Sequence, residues 1–225
     1  MMALFDVENV EFISQTGIPI VKGASFKIEK GTTVQFDGKS GSGKSTLMKV
    51  TAGIIVPTKG TVRFEGRDVH AMNERRTRAF RKRASFIFQD SALWANQNIM
   101  QNLMLPLQIH YPELSAEEKV EKIKVVCQLL NYERSLDLRP ADLSMGEQKK
   151  VAFARAFIIK PEILFLDEVT ESLDVKAVDN VTEILHNFLE EGNTMVYISH
   201  NPVFVKAFPA RKIIMKEGTI NEIQD

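Results

Sequence analysis

Between Gly38 and Ser45 the chain reads GKSGSGKS, three glycines, two lysines and three serines in the spacing G-x-x-x-x-G-K-S, set between the apolar run TVQF and a helical segment. Gly38, Gly41 and Gly43 permit a backbone path that turns several N–H groups toward one anion, and the following helix adds its positive dipole end. Lys39, Ser40 and Ser42 complete the phosphate-binding loop. Lys44 supplies charge at the β- and γ-phosphates, the Ser45 hydroxyl is placed to ligate magnesium, and Thr46 serves the α/β side.

A second chemical element is ILFLDE, residues 163–168. Its apolar residues drive a strand into a core so that Asp167 and Glu168 emerge at the carboxyl end, where open α/β sheets bind ligands. Asp167 is expected to hold magnesium through water. Glu168 is expected to orient, or take a proton from, a water attacking the γ-phosphate, because phosphoryl transfer needs positioning and charge stabilisation more than covalent help.

The elements that must position these residues can be read from periodicity. Short β-rich runs (4–12, 18–28, 32–36 and 61–64) alternate with turn residues such as Gly17, Gly23, Gly31 and Gly60. KSTLMKVTAG starts at the loop lysine and stops at Gly53, as a helix does. From about Ser91 to Ile159 the β-rich runs vanish, and AEEKVEKIKVVCQLL places Val120, Ile123, Val126, Cys127 and Leu130 on one helical face. After Pro161 come strand, helix, strand and a final hairpin turning at Glu217-Gly218, an alternation that argues a mainly parallel sheet. The basic run Arg75, Arg76, Arg78, Arg81, Lys82 and Arg83 is expected to be a solvated helix face.

A third motif, LSMGEQKKVAFARA from Leu143, lies between the phosphate loop and ILFLDE. In this order the motifs make the chain resemble the ATP-binding cassette (ABC) family of ATPases over nearly its whole length. The resemblance implies an α/β P-loop NTPase of the ABC ATPase type, with a mainly parallel sheet core, an antiparallel β subdomain and a helical subdomain. It implies one cassette domain over 1–225, with a core lobe at about 1–88 and 160–225 and a helical part at about 90–159. It also implies a signature sequence whose Ser144, Gly146 and Glu147 meet an ATP held by a second copy, in a head-to-tail homodimer with ATP sandwiched between the chains. Met145 replaces the first of the two signature glycines, which implies an altered signature contact.

By the same resemblance Gln89 in FIFQD approaches magnesium and the attacking water, His200 in YISH contacts the γ-phosphate and serves catalysis with Glu168, and ESLD to Asp174 is the D-loop. Val169 stands where the family usually has Pro, and Glu171 with Ser172 where it often has small residues. The family's adenine-stacking aromatic is Ser14 here, with Phe12 the candidate substitute. The implied ligands are ATP and Mg2+, with Ser45, Gln89 and Asp167 toward the metal.

The 225 residues include 29 Lys+Arg and 29 Asp+Glu, so no global basic field draws the chain to nucleic acid, and no nucleic-acid partner is expected. Cys127 is the only cysteine, which excludes an intrachain disulfide and a cysteine zinc cluster; it reads as a small buried hydrophobe. His70, His110 and His186 fall in expected surface segments and share no metal-ligand spacing. With no run of about 18 apolar residues and no basic, apolar leader at MMALFDVENVEF, the expectation is a cytoplasmic protein.

The family resemblance places such a protein peripherally on the cytoplasmic face of the inner (plasma) membrane, driving integral membrane permease subunits. Phe88, Ala92, Leu93 and Trp94 are candidate permease-groove residues, although Trp94 can equally pack within the helical part. The stretch from Gln89 to Ser115 resembles ATPases of bacterial MCE-domain (Mla-type) phospholipid transporters, which implies an MCE-domain lipid-binding partner. Lipoprotein-release or macrolide-export ATPases, the cell-division ATPase, soluble ABC ATPases acting on DNA or ribosomes, and a nucleotide-gated structural dimer remain alternatives.

Overall fold

The computed structural model describes residues 3–224. Strands β1 (Phe5–Ile13), β2 (Pro19–Ile28), β4 (Lys59–Phe64) and β5 (Arg67–Asp68) form an antiparallel sheet in the order β2-β1-β4-β5. The main sheet adds β3 (Thr33–Asp37), β6 (Ala84–Ile87), β7 (Ile163–Asp167), β8 (Thr194–Ile198), β9 (Arg211–Lys216) and β10 (Thr219–Gln224), in the order β10-β9-β3-β8-β7-β6. All its neighbours pair in parallel except the β9–β10 hairpin, whose turn uses Glu217 and Gly218 at positive φ.

The period of two along β7 and β8 builds two cores from one sheet. Ile163, Phe165, Val196 and Ile198 face a cluster shared with the antiparallel sheet and helix α1 (Lys44–Thr51). Leu164, Leu166, Met195 and Tyr197 face a second cluster built with α3 (Ile99–His110), α4 (Ala116–Leu129), α5 (Met145–Phe157) and α6 (Val175–Glu190). Two further helices are α2 (Glu74–Arg83) and α7 (Pro202–Ala207). The sheets are knit by Phe5, whose ring lies 5.7 Å from Phe165 and 5.2 Å from Phe64.

Because β3, β6, β7 and β8 run in parallel, their carboxyl ends open on one edge. The residues that follow them, Gly38, Gln89, Glu168 and His200, are therefore gathered there by topology.

Part of the basic run differs from its expected role as a solvated face. Arg75, Arg76 and Arg78 are exposed, but Arg81 turns inward and donates to Ala52 O (2.8 Å) and Gly53 O, closing the carboxyl end of α1. Arg83 bridges Glu65 and Glu162. His70 and His110 are half-buried rather than at the surface, and burial is the first cause holding both imidazoles below their usual range. No helix among the described residues is long and apolar enough to cross a membrane.

Candidate functional site

The loop between β3 and α1 is shaped by its neighbours. A Cβ on Gly38 (φ 135°) would stand 2.2 Å from the Met215 carbonyl oxygen, and one on Gly43 (φ 98°) 2.7 Å from that of Ile20. Strands β9 and β2 thus press on the loop at points that only glycine leaves room for. Gly43 is the N-cap of α1 and offers no side chain to its N–H groups, and the first turn carries no acidic residue. Such an end suits an anion.

The other loop residues fit the same ligand. Lys44 is 7% exposed, and its Nζ donates only to backbone, Gly38 O at 2.7 Å and Lys39 O at 3.0 Å. Ser42 is buried and its Oγ has no hydrogen-bond partner. Lys39, Ser40 and Gly41 are exposed at the rim, and Thr46 is half-buried in the first helical turn. A buried cation, an orphaned hydroxyl and an uncapped helix terminus converge on phosphate chemistry.

Across from the loop, Ser45 Oγ donates to Asp167 Oδ1 at 2.9 Å. Burial raises the Asp167 carboxyl above its usual range, while the Ser45 hydrogen bond and Lys49, Lys149 and Lys44 pull it back down. A hydroxyl and a carboxylate oxygen at this spacing are the hard oxygen donors that magnesium takes.

Glu168, 9% exposed, holds a left-handed backbone (φ 48°) and donates its N–H to Ile198 O. That conformation turns the side chain to His200, whose N–H donates to Oε2 (3.2 Å) and whose Nε2 lies 3.3 Å from Oε1. Burial raises the Glu168 carboxyl above its usual range, and His200 opposes the rise.

Gln89 follows β6, exposed, and its Nε2 donates to Glu171 Oε2 at 2.8 Å. The segment around it is gripped by α5. Lys149, 2% exposed, donates to Phe88 O (3.0 Å) and Gln89 O, and Arg155 donates to Ser91 O (2.9 Å) and Ala92 O (2.8 Å). Periodicity exposed nothing of Gln89's partner, but Lys149 could have been found, because Ala152, Phe153 and Ala156 mark its face of α5 as the buried one. Trp94 donates its backbone N–H to Asn102 Oδ1 (2.8 Å), and the residue is 46% exposed, so it is not enclosed within the helical part.

Ser144 is the N-cap of α5 and forms a capping box with Glu147, whose N–H donates to Ser144 Oγ while Oε2 accepts from Ser144 N at 2.8 Å. Gly146 lies against Ser172, since a Cβ there would come 2.9 Å from the Ser172 carbonyl oxygen, and Met145 is 67% exposed. Among the described residues no hydrogen bond joins Ser144, Gly146 or Glu147 to the phosphate loop. Phe12 is half-buried and packs on the cluster beneath the antiparallel sheet.

Residues 21–171 match the family model described as ABC transporter. The methionine import ATP-binding protein MetN of Chlamydia pneumoniae is 32% identical over 206 residues, 91% of this chain and 60% of that protein. The macrolide export ATP-binding/permease protein MacB of Syntrophobacter fumaroxidans is 32% identical over 98% of this chain and 31% of its own length. The chain therefore spans less than two thirds of either relative. Among solved structures, a dimeric ATP-binding cassette, MJ0796, in a post-hydrolysis state bound to ADP and Pi superposes with a TM-score of 0.90 at 28% identity, covering 98% of both chains.

Proposed function

From the fact that this chain belongs to the ABC transporter family, we propose that it is an ATP-binding and ATP-hydrolysing subunit that drives a separate integral membrane permease. The observation that carries the proposal is the meeting of the glycine-rich loop with Asp167 through Ser45 (2.9 Å) and of Glu168 with His200 (3.3 Å) on one sheet edge.

Lys44 exchanges two neutral carbonyl acceptors for β- and γ-phosphate oxygens, a stronger charge-assisted pairing. The N–H groups opening α1 and the Ser42 hydroxyl complete the anion cradle. Ser45, Asp167 and Gln89 would hold Mg2+, which would neutralise phosphate charge. Glu168 orients a water and takes its proton, a role matched by a carboxyl raised through burial. His200 holds the Glu168 carboxylate and reaches toward the γ-phosphate.

Ser144, Gly146 and Glu147 of a second copy close the site in a head-to-tail homodimer. The dimeric state of the structural relative supports this reading. Phe12 is the proposed adenine neighbour. The cassette comprises the core lobe at about 1–88 and 160–225 and the helical part at about 90–159, and it sits peripherally on the cytoplasmic membrane face through its permease, which meets the exposed Trp94.

For cargo we propose phospholipid, with an MCE-domain lipid-binding partner, on the resemblance of residues 89–115. The second reading is macrolide-export-type transport, favoured by the MacB relative, which aligns with 98% of this chain. Purification of the Glu168→Gln protein from native membranes with ATP and magnesium tests both. Co-purification of a permease with an MCE-domain protein and phospholipid supports the first. A different permease redirects the cargo, and ribosomal or DNA-bound proteins overturn the transporter reading.

A further inference from the structure

Gln89 is fixed at both ends by groups distant in sequence. Its carbonyl is held by Lys149 of α5, and its amide by Glu171, four residues past the end of β7. Glu171 is itself tied back by its N–H to Glu168 O at 3.4 Å, so it moves with the segment that carries the catalytic carboxylate.

The chemistry of this contact fixes more than a position. An ionised carboxylate only accepts, so the –NH2 of the Gln89 amide must be the end that faces Glu171. The other end, Oε1, is then turned away with its lone pairs, and no described residue donates to it. Oε1 is also the one atom of the side chain able to ligate a hard cation. A serine or alanine at position 171 would leave the amide free to flip.

We propose that Glu171 is a positioning residue for cation binding, setting the flip of Gln89 so that Oε1 is presented to the magnesium of the nucleotide. The proposal rests on the reading that Gln89 serves that ion. Position 171 thereby acts on metal affinity without touching the metal or the nucleotide.

The test is manganese binding to the full-length chain with ADP, followed by electron paramagnetic resonance, beside calorimetry of ADP without metal. Glu171→Gln keeps a hydrogen bond to Gln89 but can face it with either end, whereas Glu171→Asp keeps an acceptor-only partner. The expected result is manganese affinity about 5-fold weaker in Glu171→Gln, partial recovery in Glu171→Asp, and unchanged metal-free ADP affinity in both. Both positions are exposed, so the variants fold, which thermal unfolding checks. Wild-type manganese affinity in Glu171→Gln overturns the proposal, as does equal loss of metal-free ADP binding. Gln89→Ala separates the two layers: if it too leaves manganese affinity unchanged, the reading of Gln89 itself fails, and if it weakens manganese while Glu171→Gln does not, only the positioning role fails.

Discussion

His200 engages both oxygens of Glu168, its backbone N–H on Oε2 at 3.2 Å and its Nε2 at 3.3 Å from Oε1. The carboxylate is thus oriented by a residue leaving the neighbouring strand, and the left-handed backbone at Glu168 is what brings it there.

Replacing Glu168 by Gln preserves that shape and removes the carboxylate proposed as the base. Turnover in the purified transporter complex is expected to fall about 100-fold or more, with ATP binding retained and the dimer accumulating by light scattering. Near-normal turnover would remove Glu168 from the chemistry.

Lys44→Ala deletes a buried ammonium held only by the Gly38 and Lys39 carbonyls. ATP affinity by calorimetry is expected to weaken about 10- to 100-fold, the scale of one charged hydrogen bond. An unchanged affinity would contradict contact with the phosphates.

Arg155→Ala leaves the carbonyls of Ser91 and Ala92, residues that are themselves held at φ 63° and 44°, without their donor. Unfolding in urea is expected to show a loss of about 2–4 kcal/mol. Arg155→Lys, which reaches one carbonyl at a time, is expected to recover part of it.

Burial pushes the Cys127 thiol up to about 11 from 9.0. A raised pKa means the unfolded chain releases the proton first, so this contribution is intact below pH 9 and is lost as pH rises toward 11. The loss amounts to about 2 kcal/mol. Tyr132 and Tyr197, pushed by burial up to about 12 from 10.0, lose their contribution over the overlapping range from pH 10 to 12, so the comparison is with Cys127→Ala, whose stability is expected to decline less steeply between pH 9 and 11.

The loop, the strand carrying Asp167 and the helix α1 were legible because each is local: glycine spacing, an apolar run and a terminal Gly53 all act within a dozen residues. The final hairpin was equally plain from Glu217-Gly218. What periodicity could not carry was partnership across the chain. Arg81 looked solvated because nothing nearby reveals the α1 carbonyls 28 and 29 positions away. Gln89 and Glu171 meet over 82 positions through parallel strand pairing, and α7 is only six residues long, too short for a helical period to register.

The grip of α5 on the segment from Phe88 to Ala92 falls on four carbonyl oxygens and on no side chain. Anchorage is therefore indifferent to the letters written there, apart from positions 91 and 92, where positive φ excludes β-branched residues. The segment works like a socket with a fixed mount and exchangeable contacts. Side chains on its outer surface can be exchanged by substitution alone, leaving the backbone linkage behind them untouched.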